Sequence, residues 1–309
     1  MTQPLFSIIM PAYNAEKTIE AAIYSALEQS EDDFELIVID DGSQDSTLRK
    51  ALHLAVDDRR IHVVSRENAG VSEARNLGVE MARGLFIAFL DADDQWYPNK
   101  LAAHRHFHAA NPNVAASFGQ IAFREDRRGT LQPAKTLSSV PQGPLSLMQI
   151  LSENPVCTTS NLVVSAAAFH TTGPFEAGLN HAEDQEWLAR LICHGFALCG
   201  IDELLVDYRM SDDGLSADLD AMLNGWRSLV ERYAGSRDMS GAEAIYCRYL
   251  ARRALRTGAP VSSAYRFARQ GLNRNATAFF NDMRRGWMTL LGVALSPAIP
   301  RNLRPHLFA

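Results

Sequence analysis

Three carboxylates fall within four residues at Asp91-Ala92-Asp93-Asp94, and a second acidic pair stands at Asp40-Asp41. Carboxylates brought together repel one another unless a cation sits among them. A hard divalent ion such as Mg²⁺ or Mn²⁺ takes one or two carboxylates with phosphate oxygens and water, and it can neutralise a departing nucleoside diphosphate. The Asp91-x-Asp93-Asp94 group therefore reads as a metal cradle for a diphosphate. The same acids could instead cap the helix expected over 97–108, Asp94 above all. Asp40-Asp41-Gly42-Ser43 equally fits a turn leading into a helix capped by Asp45 or Ser46. A third pair, Glu183-Asp184, opens an amphipathic stretch whose N-terminal dipole alone would favour acids. No GxGxxG and no GxxxxGK[ST] occurs, which weakens dinucleotide-oxidoreductase and P-loop readings.

Such groups need a scaffold, and the apolar periodicity supplies one. Continuous runs rich in Ile, Val and Phe at 5–10, 34–39, 61–64 and 85–90 predict buried parallel strands. Stretches 16–29, 46–56 and 71–83 carry apolar residues near a 3.6 period and predict the helices between them. This is the βαβ pattern of a doubly wound, Rossmann-like sheet, in which ligands bind beyond the carboxyl ends of the strands. Beyond those ends lie Pro11-Ala12-Tyr13-Asn14, Asp40 to Ser43, Arg66 to Gly70 and Asp91 to Asp94. Further on, 114–123 and 161–165 predict strands, 129–146 a long loop that could form a lid or acceptor rim, and 183–194 a helix. From 217 the chain reads as wholly helical, with breaks at 235–241, 257–260 and before Pro297.

Composition narrows the classes. Of 309 residues 47% are hydrophobic and 21% charged, so disordered and low-complexity chains are excluded. The four cysteines form no CxxC pair, which argues against a disulfide framework or structural zinc and fits a reducing compartment. The N-terminal segment lacks a basic n-region and reads as a strand, not a signal peptide. No apolar run is long enough for an ordinary spanning helix. The histidines, among them His104, His106 and His108, show no ligand spacing and read as surface or helix residues.

Five segments carry a family resemblance: Pro-Ala-Tyr-Asn at 11–14, Ile-Asp-Asp-Gly-Ser-Gln-Asp-Ser-Thr at 39–47, Asn-Ala-Gly-Val-Ser-Glu-Ala-Arg-Asn-Leu-Gly at 68–78, Phe-Leu-Asp-Ala-Asp-Asp at 89–94 and Glu-Asp-Gln-Glu-Trp at 183–187. In this order they resemble family 2 glycosyltransferases of the GT-A fold, over about the first 215 residues. The resemblance implies an inverting, metal-dependent hexosyl- or N-acetylhexosaminyl-transferase using a nucleotide sugar, most often a UDP-sugar. Its acceptor would be a hydroxyl of a saccharide or lipid-linked molecule in surface polysaccharide or glycolipid assembly. By similarity Tyr13 stacks on the base beside Pro11, Asp40 accepts from the uracil ring N–H, and Arg75 helps hold the nucleotide. Each role suits its group, although Tyr13 could also pack in the core and Arg75 could pair with Glu73 or Glu67. Asp93 would bind Mn²⁺ or Mg²⁺, with Asp91 reaching ribose or the metal, while Asn76 and Gly78 serve loop and helix packing. Asp184 would be the catalytic base, with Glu183 as second choice, because inversion needs a carboxylate opposite the leaving diphosphate. One departure stands out. Where the family often has a His shortly after Tyr208-Arg209, this chain has Ser211, so Asp212, Asp213 or water would have to replace that contact. A nucleotide-sugar-binding protein with little turnover is the alternative that this departure supports.

The expected organisation is a GT-A catalytic domain over 1–216, with a nucleotide-sugar half at 1–111 and an acceptor half at 112–216, followed by an Arg-rich helical region at 217–309. Charge is segregated along the chain. Residues 1–226 hold 16 Lys+Arg against 32 Asp+Glu, whereas 227–309 hold 14 Arg, no Lys and 4 Asp+Glu. Arg248, Arg252, Arg253 and Arg256 share one flank of a helix, and Arg284-Arg285 precede the apolar stretch that begins at Trp287. This pattern suits a cytoplasmic protein whose segment 240–309 lies on the anionic inner face of a membrane. It equally suits an appendage that packs Trp287 inward and exposes its arginines. Nucleic acid is a poor partner, because the acidic body would repel it.

Overall fold

The computed structural model describes residues 3–127, 130–134, 136–179, 182–210, 218–257 and 259–299. The apolar runs become strands β1 (Phe6–Ala12) and β2 (Phe34–Asp40), buried along their whole lengths, which is why they read as unbroken hydrophobic runs without alternation. Helix α1 (Ile19–Leu27) joins them and turns Ile19, Ala22, Ile23 and Ala26 inward. Then follow α2 (Thr47–Asp57), β3 (Ile61–Ser65), α3 (Val71–Met81) and β4 (Phe86–Phe89). β1 pairs in parallel with β2 on one side and β4 on the other, and β3 lies outside β2. The winding direction therefore reverses between β1 and β4, the switch point at which open α/β sheets bind ligands.

Past β4 come β5 (Gln95–Trp96), α4 (Lys100–Ala110), β6 (Val114–Arg127), β7 (Thr130–Leu131), β8 (Thr136–Leu137), α5 (Leu147–Ser152), β9 (Val163–Ser165), α6 (Ala166–Thr172), α7 (Glu183–Cys193) and β10 (Ala197–Met210). The sheet runs β3-β2-β1-β4-β9-β6-β10-β5, with β7 and β8 paired to β6. It is mixed, because β9 lies antiparallel to both β4 and β6. Two expectations change here. The stretch 129–146 is not wholly loop, since β7 and β8 fall in it. And β10, which the sequence did not announce, pairs in parallel with β6 over most of its length through several register shifts; Asp202, Glu203, Asp207 and Arg209 interrupt any apolar run there.

The described residues divide into two compact units. The first comprises 1–145, 155–179 and 186–211, and the second 146–154, 180–185 and 212–309. Beneath the sheet of the first unit, β1, β2 and α1 share a core with Leu101, Ile121, Val163 and Val206. Phe89, Phe169, Phe175 and Trp187 make a cluster of rings, with Phe169 and Trp187 stacked at 5.1 Å. Gly84 sits where a Cβ would meet the Ser7 backbone nitrogen at 2.5 Å and the Phe6 carbonyl carbon at 2.7 Å. Backbone cannot yield as a side-chain tip can, so Gly84→Ala is expected to cost on the order of 1–3 kcal/mol, read as a lowered midpoint in urea at unchanged slope.

His104 and His108 lie on α4 as helix residues, but both are buried, which corrects their reading as surface groups. Lys100, also fully buried, reaches the Asn161 carbonyl and His104 Nε2, each at 3.1 Å. His104 Nδ1 lies 2.7 Å from Ser117 Oγ, which lies 2.8 Å from His108 Nε2, and His108 Nδ1 meets the Val114 carbonyl. A consistent run of donors follows: ammonium to His104, His104 to Ser117, Ser117 to His108, His108 to the carbonyl. Burial pushes the Lys100 ammonium down to about 7.

The second unit contains α5, α8 (Leu219–Tyr233), α9 (Ser240–Arg256), α10 (Val261–Phe279) and α11 (Met283–Leu295). Trp226 stacks on Tyr246 at 5.3 Å and donates its indole N–H to the Leu151 carbonyl. Besides the expected breaks, α10 kinks at Asn275 and ends before α11, where Asp282 caps the Arg285 amide. One of the two expectations for the tail, the inward-packed Trp287, is corrected. Arg248 is only 1% exposed and donates to the Phe279 carbonyl and Asn281 Oδ1, both at 2.8 Å, while Arg252, Arg253 and Arg256 on the same flank are partly exposed. Trp287 is 53% exposed, so it is not packed inward. No helix among the described residues is long and apolar enough to cross a membrane.

Candidate active site

At the carboxyl end of β1 the ladder to β4 stops at Ile9–Phe89, while the ladder to β2 continues through Pro11 and Ala12. Pro11 can therefore occupy a central strand, because its missing N–H falls where β4 no longer pairs. Asn14 follows in the left-handed region at φ 49°. Its amide donates to Ser43 Oγ (3.0 Å) and its Oδ1 accepts from the Gln44 amide (2.8 Å), which ties the loops after β1 and β2 together. This turn leaves Tyr13 at the strand end and 53% exposed, so the core-packing alternative for it fails.

Asp40 ends β2 with 1% of its surface exposed. Its Oδ2 accepts from Ser65 Oγ at 2.8 Å, while its buried Oδ1 has no partner among the described residues. A buried acceptor left empty costs on the order of 1–3 kcal/mol. Asp41 serves the turn, accepting from the amides of Ala69 and Gly70. Gly42, at φ +77°, cannot carry a Cβ without meeting the Asn68 nitrogen at 2.8 Å. Asp45, and not the Ser46 side chain, takes the Thr47 amide at the start of α2.

At the end of β4, Asp91 Oδ1 accepts from Arg75 at 2.7 Å and its amide donates to Ser160 Oγ. The buried Arg75 pairs with Asp91, instead of the expected alternatives Glu73 or Glu67, and lies 5.7 Å from the Phe175 ring. Burial, reinforced by the Asp91 charge, pushes the Asp93 carboxyl up to about 6. Asp94 is buried and held well above the usual carboxylate range, by burial first and then by Asp93 and Asp91. It does not cap α4, whose N-cap is Asn99; its Oδ1 accepts from the Arg209 amide (2.9 Å) and its Oδ2 faces Thr158 Oγ1 (3.5 Å). The Arg209 guanidinium donates to the Asp93 carbonyl at 2.8 Å and pairs with Asp126. Arg209, Ser160 and Thr158 thus brace the acidic turn from β10 and from the 3-10 turn at Thr159–Asn161. Sequence reasoning assigned them no part, since only the sheet brings them there. Asn76 exchanges two hydrogen bonds with the Phe175 backbone, and a Cβ on Gly78 would meet Ile9 Cγ2 at 2.4 Å, so both serve packing as expected.

Among the described residues no three His, Cys, Asp or Glu side chains converge into a closed metal cage. Asp91 and Asp93 nevertheless suit a hard divalent ion that draws its remaining ligands from phosphate and water. Such a cation would relieve the repulsion from Asp91 that adds to burial in raising the Asp93 carboxyl. Ser211, Asp212 and Asp213 lie outside the described residues.

Glu183 and Asp184 open α7 and are counted in the second unit. Asp184 Oδ1 accepts from the Gln185 amide (2.7 Å) and Oδ2 from Asn154 Nδ2 (3.0 Å), so the carboxylate is oriented from both sides. The rest of the motif is structural. Gln185 donates to the Ile150 carbonyl, Glu186 pairs with Arg190 at 2.8 Å, and Trp187 donates to the Gly173 carbonyl.

The sequence profile described as "Glycosyl transferase family 2" matches residues 7–173. A Bacillus subtilis protein named as a putative teichuronic acid biosynthesis glycosyltransferase, TuaG, is 31% identical over 77% of this chain and 89% of its own length. An Escherichia coli protein named UDP-Glc:alpha-D-GlcNAc-diphosphoundecaprenol beta-1,3-glucosyltransferase, WfgD, is 50% identical over 33% of this chain and 40% of its own. Among solved structures, S. aureus TarS in complex with UDP-GlcNAc superposes with a TM-score of 0.60 at 16% identity, covering 88% of this chain and 90% of that one. The Pyrobaculum calidifontis mannosyltransferase PcManGT, in complex with GDP-Man and Mn²⁺, gives 0.61 at 17% identity, covering 100% and 85%. The profile and the relative matched over most of its length make this chain a member of glycosyl transferase family 2, an enzyme that carries its acidic strand ends on a GT-A fold.

Proposed function

We propose that the protein transfers a sugar, with inversion, from a UDP-sugar to a hydroxyl of a saccharide or lipid-linked acceptor in the assembly of a cell-surface polysaccharide. The observation that carries the nucleotide assignment is the buried Oδ1 of Asp40, which has no partner among the described residues, at a strand end adjoining the one that exposes Tyr13. Uracil presents a single imide N–H, which matches one vacant acceptor. Guanine presents two adjacent donors on its edge, and the second would compete with Ser65 for Oδ2. Tyr13 supplies a face for the base, Pro11 the wall beside it, and Arg75 with Asp91 a charged pair near the ribose and phosphates. Asp91 and Asp93 would hold a divalent metal, which supplies charge neutralisation to the departing diphosphate. Asp184 takes the acceptor proton, with Glu183 next to it as the other candidate. The names of TuaG and WfgD support a role in surface polysaccharide assembly.

Thermal unfolding tests the donor. UDP with Mn²⁺ is expected to raise the melting temperature, by a stabilisation of about 2.7 kcal/mol at a hundredfold excess over Kd. Tyr13→Ala and Asp40→Ala should each weaken binding by about 1–3 kcal/mol. Equal protection by GDP and UDP would contradict the uracil contacts. A panel of nucleotide sugars, scored for slow metal-dependent hydrolysis, then identifies the sugar.

A further inference from the structure

Helix α9 carries Arg248, Arg252 and Arg256 at steps of four, which sets them on one face. α11 brings Arg285 to the same group. Arg248 and Arg285 share Glu153, at 3.9 and 3.1 Å, and Arg285 also reaches Asp282 at 3.2 Å. The charges around Arg252 are those of Arg248, Arg256, Arg285 and Glu153. Arg256 is close to Arg253, Tyr249 and the same Glu153. Four guanidiniums of this group thus face two carboxylates, an excess of two positive charges. Arg252 and Arg256 are half-buried and make no hydrogen bond or ion pair among the described residues. Arg248 is almost fully buried, and its Nε has no partner there either. Desolvated like charges left unpaired are costly, and burial with mutual repulsion lowers the proton affinity of Arg252.

The same unit offers an apolar face beside this cluster. Met283, Trp287, Leu291 and Leu295 lie at steps of four along α11 with Met288 next to them, and all five are exposed. Arg284 is exposed as well, and the partly buried Arg285 pairs with Glu153. At 13 residues α11 is too short to span a bilayer. A Trp-bearing apolar stripe with arginines at its edge suits the plane of a membrane surface.

We propose that Arg248, Arg252, Arg256 and Arg285 form a binding site for the phosphate group of a membrane lipid, with the exposed stripe of α11 entering the headgroup–acyl boundary beside it. Two excess positive charges match a doubly charged phosphate monoester or diphosphate, and planar guanidiniums match phosphate oxygens two at a time. The site differs from an evenly spread basic surface in that Arg252 and Arg256 are half-buried without a hydrogen-bond or ion-pair partner among the described residues, and the test turns on these two.

Co-sedimentation of the full chain with vesicles decides it. At about 0.15 M salt, binding to phosphatidylcholine vesicles that contain phosphatidic acid should exceed binding to phosphatidylcholine alone by about tenfold or more. The double variant R252Q/R256Q should lose that preference yet melt at or above the wild-type temperature, since it removes repulsion and no hydrogen bond. W287S/L291S should weaken binding to both kinds of vesicle. Wild-type binding by R252Q/R256Q, or no preference for phosphatidic acid, would overturn the proposal. Protection of the protein by inorganic phosphate or diphosphate without any vesicle preference would overturn the lipid as the source of the phosphate. Donor hydrolysis by R252Q/R256Q should equal that of the wild type, so failure here is distinct from failure of the UDP-sugar reading.

Discussion

Asp184→Asn is expected to lower sugar transfer by about 10²–10⁴-fold, the usual worth of a positioned general base, while the affinity for UDP stays unchanged. The carboxylate is held by the Gln185 amide on one oxygen and Asn154 on the other. An amide at this position accepts no proton from an acceptor hydroxyl. Because the substituted amide would turn its own N–H₂ toward an existing donor, the melting curve of the variant must be measured beside its rate. Loss of rate with UDP protection intact locates the defect in proton transfer. A variant that transfers at the wild-type rate removes Asp184 from the mechanism and leaves Glu183 to be tested. Retention of anomeric configuration in the product, read by NMR, would remove the inverting scheme altogether.

Asp93→Asn is expected to reduce turnover by about 10²–10³-fold or more, because charge neutralisation at a leaving diphosphate is worth several kcal/mol. The fold should survive. Asp93 is crowded by Asp91 and Asp94, so replacing a carboxylate with an amide of the same shape relieves repulsion, and the variant without metal should melt no lower than the wild type. Its carbonyl, which receives Arg209, belongs to the backbone and is kept. Chelator should abolish the wild-type activity, and Mn²⁺ or Mg²⁺ should restore it. Undiminished turnover in the variant, or full activity in excess chelator, would contradict metal assistance.

The N-terminal half of the sheet was legible because its signals are local. A buried parallel strand must be apolar on both faces, so β1, β2 and β4 announce themselves as unbroken runs, with the half-buried β3 as a shorter one. A doubly wound sheet gathers the segments after its strands at one edge, so Tyr13, Asp40, Asp91 and Asp93 group together from the order of the segments alone. Gly42 was legible for a similar reason, since it occupies a turn that few other residues could enter.

The tertiary structure alone decided the partners. Arg75 could have met Glu67 or Glu73 by spacing, yet it pairs with Asp91 across the sheet edge. Asp94 looked like a helix cap, and became a buried acceptor only because β10 lies where Arg209 can reach it. His104 and His108 carried no ligand spacing, and their burial with Lys100 and Ser117 depends on how α4 lies against β6. The arginines of α9 share a helical face in the sequence as on the structure, but whether that face meets water or other helices is set by α10 and α11. Hydrophobic periodicity reports which face a segment hides. Which charge meets which is a long-range matter with no period along the chain, and it is decided when strands and helices distant in sequence come to lie side by side.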